Sequence, residues 1–389
     1  MSDRQKVLVI LALLSETCTA NITPLEQAPS SSSSSSPHSL TVLRKDFLSL
    51  LTLVYTSSTK VALTLRPSEP AYTAALTPIR DLATHISSLT TCATLFDAHG
   101  ITLAKEVRRS AQDVCEAARA LSQTFVTITE NADRGSSSSG GGSEDYLIRT
   151  GAIHELVEKI KGSLPDDNIA AVRKRYSVDV DMLEDSLKEV AEMIEDAGGD
   201  DEGFEDEDID DFDDAFDELG LGSTKKLSTV EVERIKKIQP LLRMSALLHK
   251  RIMLDLLKKG QTYSSEFSRR ADSLLDMSNT LLLAHEEIVA VLYAPQKLPA
   301  ISESLAELVT AVKRVQDTLL NQELLPPPRP VDGVASLEQT LAAVSISKSE
   351  TPKKERDVRK WFDTCFEQMF KLSKTLHDGV AFEPDTVST

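Results

Sequence analysis

At 389 residues the chain is long enough for two domains with cores of their own, and 61 acidic against 43 basic side chains leave a net charge of −18. That balance argues against a nucleic-acid binder, because a phosphate backbone is held by Lys and Arg through counterion release. The expected partners are proteins, with no direct nucleic acid and no membrane. Four cysteines, Cys18, Cys92, Cys115 and Cys365, lie far apart with no CxxC spacing. This favours reduced thiols buried as small apolar groups, and an intracellular compartment, over a disulfide or zinc framework.

In chain order, Arg4 and Lys6 precede the apolar run Val7 to Leu14, an outline shared by weak signal peptides. Glu16 directly after the run is awkward for cleavage, and the run is too short to span a bilayer. Residues 1–39 are therefore set apart as an apolar segment followed by the serine run Ser30 to Ser36. From residue 40 the apolar side chains step by three and four, the period of a helix with one buried face. Leu40, Leu43, Phe47, Leu50, Val54, Val61 and Leu65 form one stripe, stopped by Pro67. A second, Ile79 to Phe96, is expected to open at Thr77-Pro78 and close at Gly100, and a third runs from Leu103 to Ile128. A glycine-serine stretch at 135–143 follows, then a short helix at about Tyr146–Ile160 and a longer one carrying Ile169 to Ile194. Residues 40–197 thus read as a helical bundle with a flexible insertion at about 131–145.

No Lys or Arg occurs between Lys188 and Lys225, while carboxylates crowd from Glu192 to Glu218. Like charges at this density stay hydrated, so residues 198–227 read as a disordered acidic linker. Ser228-Thr-Val-Glu231 then has the spacing of a capping box. It should open a helix kinked by Pro240 and ended by Gly260, followed by single stripes Phe267–Leu292 and Ile301–Leu319. Residues 228–325 form the expected second bundle, 326–357 a proline-rich polar linker, and 358–379 a final helix packing on that bundle. The fold class is all-α: long-helix bundles in two halves joined by an acidic linker.

Signals for chemistry are sparse. There is no GxGxxG, Walker or HExxH pattern, and Ser-His-Asp sites are usually built on α/β scaffolds, for which no strand is predicted. Asp206-x-Asp208-x-Asp210 copies the first three ligands of an EF-hand, but Asp211 stands where Gly is needed and Asp217 where a bidentate Glu belongs. His285 lies on an apolar stripe and reads as a core or rim histidine. No catalytic, cofactor-binding or metal site is assigned, no cofactor is expected, and the chain is not read as an enzyme. The acidic block is a surface that a basic protein would fit. Arg173-Lys174-Arg175 reads as a charged helix face, with a nuclear import signal as the alternative. Thr351-Pro352-Lys353-Lys354 suits proline-directed kinases, making Thr351 a candidate phosphorylation site.

Gly100-Ile101-Thr102-Leu103, followed by Lys105, Val107-Arg108 and Ala111, resembles the Grap2 and cyclin-D-interacting protein family. Later parts keep the family's order: a helix leading into an acidic tract, Ile238-Gln-Pro-Leu-Leu-Arg243, Ala271-Asp-Ser-Leu-Leu-Asp-Met277, and a closing helix around Trp361 to Leu376. The resemblance covers about residues 40–378. It implies an all-helical, non-enzymatic interaction module of cytoplasm and nucleus that binds cyclin D-like or helix-loop-helix proteins and restrains the cell cycle or transcription. A helix-loop-helix protein on DNA needs a basic reading helix, and this chain offers only Arg108-Arg109, so it should sequester such partners. A rival reading is a cytoskeletal or trafficking scaffold like vinculin or talin, which uses similar bundles. Oligomeric state has no sequence signal.

Overall fold

The computed structural model describes residues 1–28, 38–131, 144–197, 226–327 and 357–381. Helix is the only regular structure among them, which bears out the all-α expectation. The chain divides into two compact units, residues 1–172 with 263–272, and residues 173–262 with 273–389.

The first unit holds α1 (Asp3–Glu26), α2 (Leu40–Thr64), α3 (Tyr72–Thr94), α4 (Ile101–Asn131) and α5 (Asp145–Ser163). α1 packs on α3 and α4, α2 on α3 and α5, and α4 also on α3 and α5. One core results, with Leu11, Phe47, Leu82, Phe96, Phe125 and Ile153 among its fully buried members. Each such side chain contributes about 1.5–3 kcal/mol on burial.

Two local expectations are corrected here. The N-terminal segment, set apart by its apolar run, is helix α1 and lies in the bundle core, where Val7, Leu11, Leu14, Cys18 and Leu25 are buried. Its start is fixed by a capping box: Gln5 N–H donates to Ser2 Oγ at 3.3 Å, and Ser2 N–H donates to Gln5 Oε1 at 3.0 Å. Both α1 and α2 are long and apolar enough by composition to cross a bilayer, and both lay their stripes in this core. The second correction concerns α3, which begins at Tyr72 and carries Pro78 inside it. Ala75, fully buried, extends the apolar face one turn ahead of the expected cap, and Ala71 N–H closes the preceding turn on Thr64 O at 2.8 Å.

The helix α6 (Asn168–Asp196) begins in the first unit and continues into the second, whose other helices are α7 (Thr229–Arg251), α9 (Ser273–Ala290), α10 (Leu298–Asn321) and α11 (Val358–Ala381). α9 packs on α10, and α11 on both α7 and α10. The capping box at Ser228 is present as expected, with Glu231 N–H on Ser228 Oγ at 3.3 Å and Ser228 N–H on Glu231 Oε2 at 2.8 Å. The other carboxylate oxygen, Glu231 Oε1, accepts from Gln296 N–H at 2.8 Å, and these bonds hold its carboxyl below the usual range despite partial burial. Pro240 lies within a continuous α7, which ends in a wider five-residue turn, Ile252–Leu256. Gly260 lies just beyond with φ +78°, a conformation that favours glycine.

The expected single stripe Phe267–Leu292 is broken. A short helix α8 (Ser265–Arg270) ends at Ala271, and α9 starts afresh at Ser273. Residues Tyr263–Asp272 belong to the first unit, so the expected second bundle from 228 to 325 loses this stretch and gains most of α6. The residues expected as a final helix, 358–379, lie in α11, which buries Phe362, Cys365, Phe366, Met369 and Leu376. The serine run, the glycine-serine stretch, the acidic tract from Gly198 to Lys225 and Thr351 lie outside the described residues.

Candidate functional site

The first of the segments that carried the family resemblance, Gly100 to Arg108, lies at the start of α4. Gly100 has φ +125° and ψ 144°, a backbone conformation open to glycine. A Cβ there would stand 2.1 Å from Asn168 Cγ, so no other residue fits without displacing that side chain. The first turn of α4 leaves its amides without helical partners, and two side chains remote in sequence supply them. Asp272 accepts from Ile101 N–H at 3.0 Å, Thr102 N–H at 3.1 Å and the Thr102 hydroxyl at 2.6 Å. Asn168 Oδ1 accepts from Leu103 N–H at 2.9 Å, while its Nδ2 donates to Ser268 O at 2.7 Å and Asp272 Oδ1 at 3.0 Å. A carboxylate at a helix N-terminus also meets the positive end of the helix dipole.

The rest of the motif is equally internal. Leu103 and Val107 are fully buried in the first core. Arg108 makes a fork-to-fork pair with Asp97, Nε to Oδ1 at 2.9 Å and Nη2 to Oδ2 at 2.6 Å, with both side chains buried. Its Nη1 donates to Pro24 O at 2.7 Å and Gln27 O at 3.2 Å, closing the C-terminal end of α1. The six residues Gly100, Ile101, Thr102, Leu103, Val107 and Arg108 therefore form an architectural node. Only Ile101, 41% exposed, faces solvent appreciably. Of this node's partners, Asn168 and Asp97 were not singled out in the sequence, and Asp272 appeared only within the family-like segment Ala271 to Met277, with no role assigned. Asn168 follows Pro165-Asp166-Asp167 in the N-terminal region of α6, a local signal; the capping role of Asp272 has none, since the break in its helix is invisible to a three-and-four stripe.

A second polar cluster lies inside the second unit. Tyr176 on α6 is fully buried and stacks on His249 of α7, ring centroids 4.2 Å apart. Ser278 of α9 stands between His249 Nε2, at 2.8 Å, and Asp179, to which its hydroxyl donates. His285, also fully buried as the sequence suggested, has its Nδ1 3.2 Å from Ser186 Oγ. Burial lowers the His249 pKa to about 3, helped by the neighbouring His285, and lowers that of His285 to about 4. A serine nucleophile needs the histidine between it and the carboxylate. Here the serine is in the middle and has no exposed surface, so the cluster is a core network joining three helices.

The four cysteines are unpaired and buried, with thiols pushed up by burial to about 12 for Cys18 and about 11 for Cys92, Cys115 and Cys365. This fits their reading as small apolar core groups. Among the described residues no three His, Cys, Asp or Glu side chains come together as a metal site. Of the basic run 173–175, Arg173 turns inward and donates to Leu257 O at 2.5 Å.

Grooves open between helices in each unit. In the first, Leu43, Leu50, Leu53, Cys92 and Leu95 line a groove of about 880 Å³ bordered by hydroxyls of Thr17, Ser49, Ser87 and Thr91. In the second, Met182, Ser186, Val289, Ala290 and Tyr293 line one of about 450 Å³ with Asp185, Glu189 and Glu286. The neighbouring face of α9 carries Glu287, whose hydrogen bond with Glu307 raises the Glu307 pKa.

Comparison with known proteins agrees with the motif's layout. The family model described as "Grap2 and cyclin-D-interacting, N-terminal" matches residues 46–196, and that described as "Grap2 and cyclin-D-interacting, C-terminal" matches residues 204–317. The chain is 25% identical over 219 residues to the Cyclin-D1-binding protein 1 homolog of Xenopus laevis, a match taking in 56% of this chain and 60% of that relative. With both halves matched in order, the chain belongs to the Grap2 and cyclin-D-interacting protein family.

Proposed function

We propose that the chain is a non-enzymatic interaction module of cytoplasm and nucleus that binds cyclin D-like or helix-loop-helix proteins and so restrains the cell cycle or transcription. The observation that carries this reading is the match of both family halves, together with a relative named for binding cyclin D1. The physical features of the chain support it. Both units are helical bundles whose outer faces offer apolar grooves of a size that helices fill. The charge of −18 disfavours competition from nucleic acid, so a helix-loop-helix partner would be held away from DNA. Phosphate on Thr351 would place about −1.5 to −2 charges beside Lys353 and Lys354, a means of regulating the module.

Affinity capture from cells followed by mass spectrometry tests the reading. Cyclin D or helix-loop-helix proteins should dominate, and capture should change between wild type and Thr351→Ala after treatment with a proline-directed kinase. Recovery of actin-linked proteins alone would replace the proposal with the scaffold reading, and tight binding of the isolated chain to duplex DNA would also refute it.

A further inference from the structure

We propose that the groove between α6 and α9 is a docking site for a basic amphipathic helix, one with Lys and Arg flanking a narrow apolar stripe. This deepens the interaction-module reading and rests on it. The groove is built from two helical rows. Met182, Ser186 and Glu189 recur at helical spacing along α6, and Glu286, Val289 and Tyr293 recur along α9 and the turn after it. Each row covers about two helical turns, roughly 10 Å at 1.5 Å per residue, which matches two turns of an incoming helix.

The floor is apolar and accessible: Met182 is 43% exposed and Tyr293 45%. Among the described residues Asp185, Glu189 and Glu286 are the charged ones lining it, and no Lys or Arg does. Lys188 pairs with Asp185 at 2.7 Å from outside the lining, leaving Glu189 and Glu286 uncompensated by a basic side chain in the groove. The Tyr293 hydroxyl donates to Glu189, and that bond, with burial and the charges of Glu189 and Glu192, pushes its pKa up to about 12. A negative field over an apolar floor selects a cation-flanked apolar helix, since like-charged partners are rejected and opposite ones are steered in.

The test uses the full chain and a fluorescent synthetic helix carrying Lys and Arg on both sides of a leucine stripe, with binding read by anisotropy. Wild type should bind, more weakly at higher salt. Glu189→Lys combined with Glu286→Lys should weaken binding about tenfold or more. Glu144→Lys combined with Glu155→Lys makes the same net charge change on the first unit, outside the groove's lining, and should leave binding within about twofold. Met182→Ser, an exposed and fold-tolerant change, should weaken binding without altering charge.

Equal losses in both charge-reversed pairs, or equal binding of a scrambled peptide of the same charge, would show bulk attraction to an acidic chain and overturn the proposal. No binding by wild type would overturn it too. Capture of purified cyclin D by wild type, measured in parallel, keeps the two ideas apart. Capture without peptide binding refutes the groove alone, and peptide binding without capture of any cyclin or helix-loop-helix protein refutes the functional reading alone.

Discussion

Asp272→Ala should destabilise a helix that begins 171 residues earlier in the chain. The carboxylate accepts from two α4 amides at 3.0 and 3.1 Å, from the Thr102 hydroxyl at 2.6 Å and from Asn168 Nδ2 at 3.0 Å. Losing an N-terminal cap costs about 1 kcal/mol. Leaving part-buried donors unpaired adds about 1–3 kcal/mol, and the site's partial exposure lets water recover some of it. The expected loss is about 2–4 kcal/mol, which for a unit of this size lowers Tm by roughly 5–15 °C. Asp272→Asn keeps one acceptor oxygen and should lose about half as much. Thr102→Val removes the hydroxyl alone and should cost about 1 kcal/mol. The double variant Asp272→Ala with Thr102→Val should be less destabilised than the sum of the singles, because the two share a bond. Urea unfolding of the four variants against wild type decides the matter. If Asp272→Ala stays within about 0.5 kcal/mol of wild type, the node is not holding α4 and the reasoning fails.

The buried histidines give a pH dependence of definite sign. Their folded pKa values, about 3 and about 4, lie below the ordinary value, so the unfolded chain takes up protons first. Stability should be whole above about pH 6.5 and fall as pH drops toward 4, with about 2 kcal/mol lost per ring at pH 5. Asp179, Tyr176 and the second histidine are the groups around His249, and His249→Gln should remove close to one proton from the slope of stability against pH in that window. An unchanged slope would contradict the buried neutral pair. Leu121→Ala, at a side chain 1% exposed in the first core, should cost about 2–5 kcal/mol in chemical denaturation. Arg108→Lys keeps a charge but loses the fork to Asp97 and two carbonyl contacts, and should cost about 2–4 kcal/mol where a surface Arg→Lys costs almost nothing. All four thiols should resist a thiol-reactive dye in the native chain and react together once it unfolds; a fast native thiol would contradict their burial.

Local signals carried the helices faithfully. The stripes of α2, α4, α6, α10 and α11, and the cap at Ser228, needed only the three-and-four period and short-range hydrogen bonding. α1 was within reach as well, because Ser2-Asp-Arg-Gln5 has the spacing of a capping box and Val7, Leu11, Leu14 and Cys18 form a stripe. The continuous apolar run hid that periodicity and suggested a segment outside the fold. What sequence could not reveal is long-range. At the break after Ala271, Asp272 caps the start of α4, a role that no local pattern around residue 272 announces. Gly100 was singled out as a motif residue, and its reason emerged only once Asn168 stood against its Cα. The same holds for the ring of Tyr176, Asp179, His249 and Ser278, whose members come from three helices. The motif that revealed the family is therefore a folding feature.

The central claim is that this chain binds cyclin D-like or helix-loop-helix proteins directly. Titrating the purified full chain into purified cyclin D, and separately into a helix-loop-helix dimer, by isothermal calorimetry tests it without intermediaries. The account predicts saturable binding to at least one of them, at about micromolar affinity or tighter. No measurable heat and no co-elution with either, from a chain whose melting curve shows both units folded, would contradict it.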